Sequence, residues 1–240
     1  AKKMYPGNRY GDRFPIGTME VVDNFPYQAL KDYYEKWYRP DQQAIVVVGD
    51  INVDEVEGKI KSIFADLTMP ENPAERVYYP VADNKEPIIA LAQDKEQQYG
   101  IVYLFAKHEA IPAEAKYTMD YLLVDYAKAM FSQMINSRMS ELGMNPEAPF
   151  VESSIYDEEF FLAKTKGAVN GVVIPKEGQT KEALAVLYRE MLRAQRHGFT
   201  ESEYVRARAE YLTNLESAYN ERAKVRSQRY CKEYVRHFID

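Results

Sequence analysis

His108, His197 and His237 are the chain's three histidines, so any imidazole-based site has to be built from them. His108-Glu109 opens as H-E, but Ala110-Ile111-Pro112 follows, and the second histidine that a zinc-binding helix needs one turn later is missing. His108 therefore reads as a surface residue on a strand-to-helix loop. His197, beside Gly198, reads as a helix C-terminal residue near free carbonyls, and His237 as lying close to a fraying end. Cys231 is the single cysteine; it rules out an internal disulfide and suggests no thiol nucleophile. Neither G-x-S-x-G, G-x-x-x-x-G-K-[ST] nor G-x-G-x-x-G occurs, which leaves nucleophilic-serine, phosphate and dinucleotide sites unsupported. The acidic run Asp157-Glu158-Glu159 and the stretch Glu71 to Glu75 read as a solvated hairpin tip and a solvated linker. No residue qualifies as catalytic or as a metal ligand, no cofactor is expected in this chain, and the residues that would touch substrate stay unassigned.

The one basic and aromatic stretch lies near the C-terminus, where Arg206, Arg208, Arg222, Lys224, Arg226, Arg229, Lys232 and Arg236 are interleaved with Tyr211, Tyr219, Tyr230 and Tyr234. On a helix the tyrosines bury one face while the cations solvate the other and pair with Glu221 and Glu233, so it reads as a solvated helix. The formal net charge of -6 points the same way, against nucleic acid as a partner.

The elements that would position such residues follow from periodicity. Tyr27, Leu30, Tyr33, Tyr34 and Trp37 recur at helical spacing until Pro40. Ala44 to Val48 is a β-branched run of the kind buried on both faces, and Asn52 or Asp54 can cap a helix with Val53, Val56, Ile60, Ile63 and Phe64 inside. Pro70, Pro73 and Pro80 mark a linker, which places a boundary between residues 1–68 and 69–240. Beyond it, Pro87 to Ala92 and Tyr99 to Ala106 read as an antiparallel pair. Glu114 to Leu142 reads as a long helix with Tyr117, Tyr121, Met130, Met134 and Ile135 near one face, ended by Gly143 as a C′ glycine. Phe150 to Tyr156 and Phe160 to Val169 form a hairpin. Thr180 to His197 is a helix capped by Thr180 and stopped by Gly198, and Thr200-x-x-Glu203 is a capping box opening a last helix towards Phe238. Antiparallel strands segregated from long helices define an α+β class with helices on one side of a sheet.

The 240 residues, 46% hydrophobic and 28% charged, suit a globular chain with a sizeable core. The longest apolar runs are far below the roughly 18 residues of a membrane span. The opening Ala1-Lys2-Lys3-Met4-Tyr5-Pro6 has no apolar stretch behind its lysines, so no signal peptide is expected, and a start at Ala1 suggests a fragment. A lone thiol fits either cytoplasm or periplasm.

Several segments resemble one family. Arg13-Phe14-Pro15-Ile16-Gly17-Thr18 with Glu20, then Trp37-Tyr38-Arg39-Pro40-Asp41-Gln42 and Ile45-Val46-Val47-Val48-Gly49-Asp50, resemble the R-x-P-[IL]-G-T…E, hY-[RS]-P-D-[NQ] and VVVGD segments of the pitrilysin/insulinase/mitochondrial-processing-peptidase zinc metallopeptidases. Asn136-Ser137-Arg138-Met139 and Thr200-Glu201-Ser202-Glu203 are similar to two later landmarks. The resemblance implies the α+β fold of the LuxS/mitochondrial-processing-peptidase-like metallohydrolases. It further implies that the H-x-x-E-H motif and its zinc lie upstream in a parent enzyme, that residues 1–68 close the catalytic domain, and that residues 69–240 are a second, metal-free domain walling a peptide chamber. The family's Arg…Tyr pair is not carried over, because Phe150 stands near the tyrosine position with no arginine seven residues before it. A non-catalytic assembly subunit of the same family is the alternative. The expected partners are peptide substrate, the remaining domains of the parent, and a second copy of the chain recruited through the unpaired Ala44 to Val48 strand.

Overall fold

The computed structural model describes residues 2–239. In chain order come α1 (Arg9–Asp12), α2 (Met19–Asn24), α3 (Tyr27–Trp37), α4 (Val53–Ile63), β1 (Val102–Glu109), α5 (Met119–Gly143), β2 (Phe150–Phe160), β3 (Ala163–Pro175), α6 (Thr180–His197), α7 (Glu201–Asn220) and α8 (Ser227–Ile239). They fall into two compact units, one of residues 1–14 and 78–215, the other of residues 15–77 and 216–240.

The first unit is built on a three-stranded sheet in the order β1-β3-β2, antiparallel throughout, which is the α+β class the sequence predicts. The register runs from Val102↔Val173 to Glu109↔Lys166 on one side of β3, with Ile155↔Gly171 and Asp157↔Val169 on the other. Residues paired across strands share a face, so Leu104, Gly171 and Ile155 look to one side and Tyr103, Val172 and Ser154 to the other. Helices α5 and α6 cover the first side, where Ile135, Met139, Ile155, Val173 and Leu187 are fully buried. A buried leucine such as Leu187 contributes about 2 kcal/mol through the water it sheds. Gly171 lets α6 come close: a Cβ there would lie 2.9 Å from Met191 Sδ and 3.2 Å from Leu187 Cδ1.

Helix ends differ from expectation in informative ways. Gly198 does end α6, standing at its C-cap with φ 64°, a conformation that favours glycine. Gly143 does not play that part, because it stays inside α5 and instead makes room for the Phe150 ring, 3.3 Å from where its Cβ would be. The residue capping α6 is Gln179 rather than Thr180, which is already helical. Asn52 caps α4, its Oδ1 accepting from Glu55 N at 3.2 Å. The last helix does not run through to Phe238; it stops at Asn220, turns, and restarts at Ser227. The side chain of Tyr117, expected on the inner face of the long helix, lies outside the described residues.

Residues 1–14 belong to the sheet unit for a reason no periodicity signals. Tyr5 is buried, its hydroxyl donating to Phe160 O at 2.9 Å and accepting from Leu162 N at 3.1 Å, so it braces the β2–β3 turn in which Phe161 sits at φ 53°. Burial pushes the Tyr5 phenol up.

The second unit holds α2, α3, α4, α8 and an extended segment at 43–48. The predicted strand there has no ladder partner among the described residues. It alternates: Val46 and Val48 are half-buried, while Ile45 and Val47 stay about half exposed at 50% and 48%. Arg39 is the one fully buried residue described in this unit, forked onto Asp41 at 2.9 and 3.1 Å. The segment has no ladder partner among the described residues and its Ile45 and Val47 side stays uncovered, so the run is not the doubly buried strand its composition suggests. The other revised strand is Pro87 to Ala92. It forms no ladder, and β1 pairs with β3 instead.

Candidate functional site

Most boundaries of the sheet are closed, and the closures single out what is left open. One face lies under α5 and α6. The outer edge of β2 is sealed by Asn136 of α5, whose Oδ1 accepts from Ile155 N at 2.8 Å and whose Nδ2 donates to Ile155 O at 2.7 Å. Ile155 thus gives both backbone groups to Asn136 and none to its neighbour Gly171. In the alternating pattern of antiparallel pairs, Gly171 must then turn its own groups to Leu104 of β1. Leu104 faces inward, and Tyr103, Phe105 and Lys107 direct their N–H and C=O groups out of the sheet. No backbone group of another segment pairs with that outer edge among the described residues.

The face opposite the helices is covered at one end only. Tyr5 and Val81 bury Phe160, Ala163 and Ala168 there. Lys166, buried, is held by Glu109 and by Asp83 at 2.9 Å, contacts that keep its ammonium well charged. Lys107 Nζ donates to Ala82 O at 2.7 Å, and Thr165 Oγ1 to Tyr79 O at 2.9 Å, so residues 79–83 are pinned beside the Glu109 end of β1. Towards the Val102 end the face is bare. Tyr103, 53% exposed, lies parallel to Phe105 with ring centroids 6.0 Å apart. An extended peptide laid along this edge would meet backbone partners and two aromatic rings.

His108 is no surface ornament. Its Nε2 lies 3.0 Å from Asp157 Oδ2, Asp157 Oδ1 lies 2.5 Å from Lys128 Nζ, and Nδ1, 2.8 Å from the Glu109 carbonyl oxygen, must carry a proton to donate there. The ring rests on its cross-strand neighbour Gly167, where a Cβ would come within 2.3 Å of Cε1. The H-E dipeptide and the D-E-E run, read separately in the sequence as solvated, are thereby joined through β3. Gly167, a glycine within a strand, was the available signal. With no nucleophile beside it, the trio braces β1 and β2 to α5.

The two later landmarks also meet. Arg138 forks onto Glu203, with Nη2 2.9 Å from Oε2, and donates to Gly198 O at 3.0 Å, while Thr200 N and Glu203 close the expected capping box at 2.7 Å. The Arg138 guanidinium, with help from Thr200, holds the Glu203 carboxyl down to about 2. Phe150, near the family's tyrosine position, is core rather than site. His197 and His237 join no cluster of potential metal ligands among the described residues. In the C-terminal stretch, Lys224 pairs with Glu221 and Arg229 with Glu233, as the solvated-helix reading expects, but Tyr219 and Tyr234 are exposed rather than burying one face.

The first unit is thus an α+β domain, a three-stranded antiparallel sheet backed by helices, with an open edge and a bare aromatic half-face. Two solved structures share that fold. The periplasmic protease PqqL from Escherichia coli superposes with a TM-score of 0.79 at 21% identity, over 98% of this chain and 25% of that one. A predicted insulinase family protease from Yersinia pestis gives 0.70 at 13%, over 98% and 49%. Residues 24–211 match the family described as the peptidase M16 inactive domain, and the chain belongs to that family. An Arabidopsis thaliana protein described as "Zinc protease PQQL-like" is 27% identical over 237 residues, 98% of this chain and 21% of its own length. The "Probable zinc protease PqqL" of Escherichia coli K12 is 23% identical over 214 residues, 89% and 22% respectively. The chain spans about a fifth of the length of these curated relatives. Its described residues do not fit the metal those names imply, because no three His, Cys, Asp or Glu side chains gather among them.

Proposed function

We propose that this chain is a metal-free part of a zinc-dependent endopeptidase that degrades peptides, and that the sheet of its first unit walls the substrate chamber. The observation that carries this reading is the unpaired outer edge of β1 beside the bare Tyr103–Phe105 face, on a sheet whose other edge Asn136 has sealed. Backbone pairing at a strand edge places little demand on side chains, so selectivity would be broad. The zinc, the water it activates and the glutamate acting as base would come from an H-x-x-E-H segment elsewhere in the parent. On this reading residues 1–68 derive from the zinc-binding domain and residues 69–240 are its metal-free homologue. The Escherichia coli relative, described as periplasmic, favours the periplasm as the compartment. The exposed Ile45 and Val47 also suit the alternative, a non-catalytic assembly subunit.

Reading the parent gene for H-x-x-E-H separates the two, and its absence would end the peptidase reading. An unstructured fluorescent peptide of about 15 residues should bind the chain weakly and the whole parent tightly, because the opposing wall and the zinc belong to the latter. Equally tight binding by both would mean that a complete recognition site lies within these residues.

A further inference from the structure

Between Lys166 and Lys176 the central strand β3 carries one polar side chain, Asn170, in the run Ala168-Val169-Asn170-Gly171-Val172-Val173-Ile174. Asparagine is disfavoured in the middle of a sheet, where a β-branched residue packs better. Asn170 is 2% exposed, and the register sets it on the face opposite the helices, between Phe105 of β1 and Tyr156 of β2. On that face Ala168, towards the Glu109 end, is sealed with Tyr5 and Val81, whereas Val172, towards the bare end, is only half-buried. Asn170 therefore stands where the cover stops. Its Nδ2 donates to Ala168 O at 2.9 Å, which fixes the orientation of the carboxamide, because only the nitrogen can face a carbonyl oxygen. Oδ1 accepts from no described residue and is not sealed from solvent, so this oxygen is where Asn170 reaches the bare side.

We propose that Asn170 Oδ1 is the polar contact of a peptide subsite on the bare half-face, accepting a backbone N–H from a substrate chain seated between Phe105 and Tyr156. This deepens the reading of the sheet as a chamber wall and rests on it. The occupant follows from the groups on offer. A single uncharged acceptor flanked by aromatic side chains suits a neutral donor with apolar neighbours, which an unfolded peptide supplies at every residue except proline. Across β3 the two outer strands stand roughly 10 Å apart, room for one extended chain. Tyr103 and Phe105, parallel with centroids 6.0 Å apart, give that chain an apolar rail on one side. The same recognition already occurs once in the molecule, where Asn136 Oδ1 accepts the backbone N–H of Ile155 at 2.8 Å. One N–H is a small demand on a substrate: the residue lodged over Asn170 must not be proline, and selectivity otherwise stays broad.

Asn170→Val separates a binding role from a structural one. Ala168 keeps Glu158 of β2 as its ladder partner, and valine suits a central strand, so the urea midpoint of the full chain should stay level or rise. Affinity for the fluorescent unstructured peptide, made with leucine at alternate positions, should fall roughly fivefold, the loss of one hydrogen bond. In NMR spectra of the wild-type chain, the Asn170 side-chain NH2 signals should move and saturate as that peptide is raised to millimolar concentration. Methylating the peptide's backbone nitrogens one at a time should find a position that weakens binding to wild type by the same factor and adds nothing in Asn170→Val. Equal affinity in the two proteins overturns the subsite and leaves the wall reading standing. Affinity lost together with urea stability overturns it too, since Asn170 would then be holding the sheet, as do methylation effects that persist unchanged in the variant. A peptide that moves no signal on the bare face overturns the subsite and the wall reading together.

Discussion

Single residues in this chain tie together stretches that look unrelated when read along the sequence. Arg138 and Glu203 each fall in a landmark segment, and the pair they form fixes α5 to the corner between α6 and α7. Arg138→Ala leaves a part-buried carboxylate facing no cation and should cost about 2 kcal/mol in urea unfolding. The pH dependence follows from the depressed carboxyl. With a folded value of about 2 and an ordinary unfolded value of about 4.3, Glu203 contributes its full stabilisation above the latter and loses it as pH falls through the former. Glu203→Gln should therefore be less stable than wild type at pH 7 and show a shallower decline between about pH 5 and pH 2; parallel curves would refute the assignment. Gly167→Ala drives a methyl into the His108 ring and should cost about 1 to 3 kcal/mol, much of it recovered in the His108→Ala, Gly167→Ala double variant. Purely additive losses would mean that the ring is not what the glycine accommodates.

Among elements, helices were the more legible because their evidence is local. The periodicity of Tyr27 to Trp37, the Gly198 stop and the Thr200–Glu203 box all reappear as read. Strands were harder, since a ladder is a property of two segments, and neither Ala44 to Val48 nor Pro87 to Ala92 announces whether a neighbour will be there to meet it. The candidate site suffered the same way. Its marks, Asn136 on the β2 edge and Gly167 under His108, depend on register between residues far apart, whereas Asn136 in the sequence was only one letter of a landmark. Asn136→Ala should strip both partners from Ile155, costing about 2 kcal/mol and speeding exchange of the Ile155 amide more than that of any β3 amide. If Ile155 keeps its protection, something other than Asn136 seals that edge.

For the whole molecule, the two units differ in how much they bury. The first has a continuous core, and the second leaves Ile45, Val47, Leu30 and Tyr34 in solvent. Limited proteolysis should accordingly cut within 15–77 well before it cuts between β1 and α6. Light scattering of the concentrated chain should show a mass that rises with concentration and returns to the monomer value in Ile45→Lys, Val47→Lys; a constant mass would remove the case for a second copy on that strand. The tyrosine brace at the β2–β3 turn has one more consequence, which concerns time rather than energy. Tyr5 and its partner Phe160 are 155 residues apart in the chain, so during synthesis the seat for this ring does not exist until the hairpin has left the ribosome. At about 5 to 20 residues per second, the segment around Tyr5 waits roughly 8 to 30 s with its aromatic side chains uncovered, a window in which a nascent-chain chaperone would find Tyr5 and Tyr10 rather than the finished sheet.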